Sequence, residues 1–157
     1  MFRSNVMAKT LHVHTRWSDG RLTLAEVVDL YGSTGKFDVI AITDHILMKK
    51  DFFARAGRLA SLGRRMFGVR QETFDAYLAD IRKEAARALD QYGMLVIPGA
   101  EITQNRLRGR MNSHIIALDI KQDISADQKA VAILREIQRA GCAQHRLSSS
   151  PPHHAAG

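Results

Sequence analysis

A single cysteine, Cys142, excludes an internal disulfide and leaves any zinc site in this chain to nitrogen and oxygen ligands. No apolar run reaches membrane-spanning length, which argues against a membrane partner. The first ten residues lack the apolar core and small-residue cleavage site of a secretory signal, so the cytoplasm is the expected compartment. Aromatic residues make up only 6% of the chain and do not interleave with basic ones, so a stacking surface for nucleic acid has no signature here.

What is present is one domain's worth of ordinary composition: 157 residues, 45% of them hydrophobic and 25% charged. A formal net charge of +7 is concentrated at Lys49, Lys50, Arg55, Arg58, Arg64, Arg65 and Arg70. Such a cluster either steers anionic partners, phosphates or nucleic acid, or forms a solvated helix face.

Three apolar runs end in side chains that bind metals. Along Leu11-His12-Val13-His14-Thr15, strand alternation sends both imidazoles to one side, and two neutral imidazoles suit a divalent cation. Asp19, ahead of a Gly20 that can take positive φ, is placed to curl back as a further ligand. Residues 37–42 read as a buried strand ending in Thr43-Asp44-His45, and residues 94–97 as another ending in Pro98-Gly99-Ala100-Glu101. Ligand-type residues collected at strand ends mark the active face of an α/β fold.

Between these runs, residues 23–31 have helical spacing, with Thr23 and Glu26 as a capping box, so strand, helix and strand form a βαβ unit. Residues 47–92 read as a helical insertion whose strongest part, 72–92, presents Phe74, Tyr77, Leu78, Ile81, Ala85 and Leu89 on one face and stops at Gly93. That aromatic stripe is core packing. Residues 112–120 supply a fourth strand bearing His114, which is either a ligand or a hydrogen-bonded core histidine. Ser125 caps a helix running to about residue 140, and residues 142–157 read as a disordered tail after the unit at 1–141. Asp44 is expected behind the ligands, orienting His45 or lysine-type neighbours through a hydrogen bond, while Thr15 and Ser18 read as turn and capping groups. Arg106, with Arg108 and Arg110, either clamps a substrate phosphate or belongs to an exposed basic loop.

In this order, residues 8–141 resemble the PHP family, named for polymerase and histidinol phosphatase domains. His12-Val13-His14-Thr15 with Ser18-Asp19-Gly20 is similar to its first motif, Ile42-Thr43-Asp44-His45 to its second and Pro98-Gly99-Ala100-Glu101-Ile102 to its third. Ser113-His114-Ile115-Ile116-Ala117-Leu118 resembles the histidine motif that follows. The resemblance implies an α/β fold, here a partial, distorted (β/α)7 barrel of about four parallel strands with crossover helices. It also implies two or three divalent ions, whether zinc, manganese, iron or magnesium. By that resemblance His12 and His14 hold one ion, Glu101 bridges it to a second held also by His114, and Asp19 with His45 holds the third. The implied reaction is hydrolysis of a phosphate ester in a phosphorylated small molecule, a nucleotide or a nucleic acid; Asp44 and Arg106, read from their own positions, are the expected assisting residues. Clustered metals acidify water and stabilise phosphoryl oxygens, which fits that chemistry.

Family members continue with a strand ending in His-Pro and a later Asp-x-His or Asp-x-Asn motif, and neither follows Gly141. The chain is therefore expected to be a truncated, N-terminal portion. Permitted codons for the residues from Gln144 onward, read one nucleotide later, spell Ser-Ile-Ala-Cys-His-Pro-His-Arg, so a frameshift is the expected origin of the tail. The alternative to an enzyme is an inactive fragment that binds metal or nucleic acid without turnover. Hydrolysis of a carbon–nitrogen bond is a third class, but its usual catalytic lysine and late aspartate are not identifiable.

Overall fold

The computed structural model describes residues 8–48, 68–104 and 113–147, with the backbone alone for 144–147. Arg106, Arg108, Arg110, the basic residues from Lys49 to Arg65 and the end of the expected tail lie outside the described residues.

The βαβ unit forms as its spacing requires. Strand β1 (Lys9–Val13) is followed by helix α1 (Leu24–Gly32), whose capping box joins Thr23 and Glu26 reciprocally, and then by β2 (Val39–Ile42). β1 and β2 pair in parallel, and the apolar side of α1, Leu24, Val27 and Val28, is buried in the common core. After a break at Thr43-Asp44 the chain resumes as β3 (His45–Leu47). A 3-10 turn (Gln71–Thr73) leads into helix α2 (Phe74–Tyr92), closed by Gly93 at φ +63°. Phe74, Tyr77, Leu78 and Ile81 are buried as expected, but the stripe continues through Glu84 and Ala88, and Leu89 is 60% exposed. Successive steps of 3.6 residues from Phe74 arrive nearer 88 than 89.

The third apolar run does not stop at residue 97. It continues through the ligand motif as β4 (Leu95–Gln104), a strand that changes partners midway. Leu95 to Pro98 pair in parallel with β2, and Glu101 to Thr103 pair in parallel with β3 in the same register. Gly99 sits at the change. A Cβ there would lie 2.9 Å from the Ala117 carbonyl oxygen and from Thr43 Cγ2, so the crowding of three strands demands glycine.

The expected fourth strand forms as β5 (Ser113–Leu118), but it runs antiparallel to β4. The intervening residues 105–112 are too few for a parallel crossover, which takes about a dozen or more. The set of parallel strands is thus β1 to β4, with β3 in place of β5. Helix α3 (Ala130–Arg139) starts later than the Ser125 signal suggests: the Ser125 hydroxyl accepts from Asp127 N–H, 3.3 Å away, across a turn that precedes the helix. Residues 143–147, expected within a disordered tail, form β6 (Ala143–Leu147), antiparallel to β5. Open backbone groups on β5 outweigh the weak local pattern there. Among the described residues the strand path is β1-β2-β4-β5-β6 with β3 beside β4, an open mixed sheet with edges at β1 and β6.

Candidate metal centre

Strand register brings the site together. His45 stands directly opposite Glu101, Thr103 directly opposite His114, and Glu101 and Thr103 are two apart on β4, so all four belong to one face. His12 and His14 arrive from β1 and its end. Among the described residues two groups of three side chains offer ligand atoms within 4.8 Å of one another: His12, His14 and Glu101, and His14, Asp19 and His45.

In the first group, His12 Nε2 lies 2.8 Å from both His14 Nε2 and Glu101 Oε2, and His14 Nε2 lies 3.0 Å from that oxygen. Three atoms with lone pairs this close fit one cation with bonds of about 2.0–2.2 Å to nitrogen and oxygen. In the second, His14 Nδ1 is 2.8 Å and His45 Nε2 3.7 Å from Asp19 Oδ1. Glu101 divides its two oxygens: Oε2 faces His12 and His14, and Oε1 is bonded to His114 Nδ1. The six expected ligands, His12, His14, Asp19, His45, Glu101 and His114, therefore lie in one cluster.

Charge follows this geometry. Burial pushes the Glu101 carboxyl up, but the hydrogen bond from His14, the charge of His45 and the bonds from His114 and His12 override it and hold the group well below the usual carboxylate range. Burial pulls the His14 imidazole down, yet hydrogen bonds and charge from Glu101 and Asp19 win and raise it to about 9. Burial also opposes ionisation of Asp19, whose pKa is nonetheless lowered by the His14 hydrogen bond and by the charges of His45 and His14. His45 goes the other way: burial, helped by the charges of His14 and His114, outweighs the attraction of Glu101 and Asp19 and favours the neutral ring. His45 Nδ1 lies 2.8 Å from Thr103 Oγ1, and the tautomer that carries its proton there would present the Nε2 lone pair toward Asp19.

Two parts of the arrangement differ from the sequence expectations. Gly20 does not take positive φ; glycine is needed because a Cβ would lie 2.5 Å from the His14 carbonyl oxygen. The Asp44 carboxylate does not bond His45 but accepts from the Thr15 and Ser18 hydroxyls. Thr103 escaped the sequence reading, although its place two residues beyond Glu101 on a strand marks the same face. Tyr77 is core packing, and its hydroxyl also donates to the Gly99 carbonyl at 2.8 Å.

No family model and no curated protein matches this chain. Among solved structures, a two-domain protein containing a predicted PHP-like metal-dependent phosphoesterase from Bacteroides vulgatus is 22% identical, with a TM-score of 0.49 over 88% of this chain and 34% of that one. A putative metal-dependent phosphoesterase from Bifidobacterium adolescentis is 19% identical, with a TM-score of 0.40 over 74% of this chain and 29% of that one. An amidohydrolase from Chromobacterium violaceum is 25% identical, with a TM-score of 0.42 over 83% of this chain and 32% of that one. The chain spans about a third of the length of the solved structures to which it is similar.

Proposed function

We propose that the chain is a metal-dependent phosphoesterase of the PHP type that hydrolyses phosphate monoesters or the phosphoesters of nucleotides and nucleic acids in the cytoplasm. The observation that carries this reading is the convergence of His12 Nε2, His14 Nε2 and Glu101 Oε2 within 3.0 Å, with His114 on the other carboxylate oxygen. On this reading His12 and His14 hold one divalent ion, Glu101 reaches from it to a second shared with His114, and Asp19 with His45 holds a third. When bound, such ions acidify water and neutralise charge on phosphoryl oxygens.

The chain's own side chains prepare for that role. Glu101 stays ionised although it is 2% exposed, giving the centre a fixed negative charge. Thr103 Oγ1, 2.8 Å from His45 Nδ1, orients the ring. His14, protonated at neutral pH, gives up its proton before either nitrogen can act as a ligand. Arg106 is proposed to meet the substrate phosphate, and Asp44 to act from behind the ligands.

A second reading is a fragment that binds metal or nucleic acid without turnover. Metal content after dialysis and hydrolysis of an aryl phosphate separate the two. At least two ions per chain with turnover, lost in His14→Ala and Glu101→Ala, supports the enzyme; one ion or none without turnover sinks it.

A further inference from the structure

Asp44 is fully buried, and its carboxylate takes up three donors from a single loop. Thr15 N–H and the Ser18 hydroxyl donate to Oδ1 at 2.7 and 2.6 Å, and the Thr15 hydroxyl donates to Oδ2 at 2.9 Å. Thr15 and Ser18 are themselves buried, so these bonds form away from competing water. The loop closes on the same anchor, because Ser18 N–H and Gly20 N–H both donate to the Thr15 carbonyl, at 3.0 and 2.9 Å. Asp19 is thereby held between two tethered neighbours, although its own side chain is 61% exposed.

The backbone of Asp44 is tied to the opposite side of the centre. Its carbonyl accepts from Glu101 N–H at 3.0 Å, and its N–H donates to the Tyr77 hydroxyl at 3.2 Å. One residue thus refers the loop bearing His14 and Asp19 to the strand bearing Glu101, and it directly precedes His45. Burial works against ionisation of Asp44, while all three of its side-chain partners are donors that favour the carboxylate. A buried carboxylate with every partner committed to one loop has a task in that loop.

We infer that Asp44 is a positioning residue that holds the Thr15–Ser18 loop so that Asp19 is set to share a cation with His45. This rests on the proposed metal reading. Among the described residues the Asp44 carboxylate bonds none of the ligand side chains; its bonds run to Thr15 and Ser18, which precede Asp19 in the same loop.

The test is zinc binding by the full chain, with zinc alone as the probe, chelator competition for affinity and elemental analysis for stoichiometry. Asp19→Ala is expected to weaken one zinc site. Asp44→Ala should weaken the same site by roughly 10–100-fold with Asp19 still present, the range seen when supporting partners of metal ligands are lost. The double variant should bind no more weakly than Asp19→Ala, because both changes remove one placement. Asp44→Asn, which keeps acceptor capacity, should recover part of the affinity. Should Asp44→Ala not fold, Ser18→Ala carries the same comparison, since it deletes one 2.6 Å bond and leaves the carboxylate in place. Folded Asp44 and Ser18 variants that bind zinc like the wild type, or effects that simply add to those of Asp19→Ala, overturn the inference while leaving the metal reading intact. Wild-type protein that takes up no zinc overturns both.

Discussion

Two charged side chains in this protein each gather several polar partners, and they do so to different ends. Arg87 on α2 bonds Asp29 at 2.5 Å, Glu84 at 2.7 Å, Gln91 at 2.9 Å and the Ala25 carbonyl at 3.0 Å, lacing α2 to α1. Glu101 gathers His12, His14, His45 and His114 from three other strands and a strand end. The guanidinium is 26% exposed and offers only donors, so it orders two helices but has no lone pair for a cation. The carboxylate is 2% exposed, and its partners are imidazoles, whose ring nitrogens offer the lone pairs a cation needs. Similar connectivity yields a strut in one place and a candidate metal centre in the other. The difference lies in which atoms carry lone pairs and whether water can reach them.

The largest effect should come from the second hub. Glu101→Gln removes the fixed charge that the imidazoles face, and aryl-phosphate hydrolysis is expected to fall on the order of 10²–10³-fold with loss of bound metal. Retained activity in that variant would break the contrast.

His14 sharpens it through pH. Its folded value, about 9, lies above the ordinary 6.5, so its stabilising contribution is complete below pH 6.5 and disappears as pH rises through about 9. In chelator-treated protein the melting temperature should fall across that window, by an amount equivalent to up to about 3 kcal/mol, and His14→Gln should flatten the slope. The same proton must leave when zinc binds. Calorimetry near neutral pH in buffers of different ionisation enthalpy should therefore show about one proton released on His14 ligation.

Next comes the support beneath the centre. Tyr77→Phe leaves the Gly99 carbonyl and the Asp44 N–H without the partner they have at 2.8 and 3.2 Å in a fully buried position. Thermal or urea unfolding should register a loss of about 1–3 kcal/mol. The smallest effect belongs to the helix hub: Asp29→Asn removes the charge of an exposed partner but leaves an acceptor oxygen, Arg87 keeps Glu84, Gln91 and Ala25, and the melting temperature should move by no more than about 2 °C. A larger shift there would mean that the exposed lace bears on stability as much as the buried support does.

The ligand cluster was legible because its signals are local. Alternation put His12 and His14 on one side, and their Nε2 atoms lie 2.8 Å apart. The capping box at Thr23 and Glu26 and the stop at Gly93 likewise formed where the residues called for them, since each depends on neighbours within a few positions. Asp44 shows where such reading stops. Beside His45 in sequence, it invited a bond to that ring, but its donors come from residues 15 and 18. Thr103 is a milder case, for strand period alone would have marked it had β4 been extended past Glu101.

The sequence by itself determined which candidate ligand side chains share a strand face, the βαβ entry to the fold and most of the helical core face, because periodicity and capping are short-range chemistry. Tertiary structure decided the direction of β5, the passage of β4 through the ligand motif, the pairing of β6 and the partners of Asp44. Each of those depends on which distant backbone and side-chain groups satisfy one another once water is excluded, and no local pattern encodes that choice.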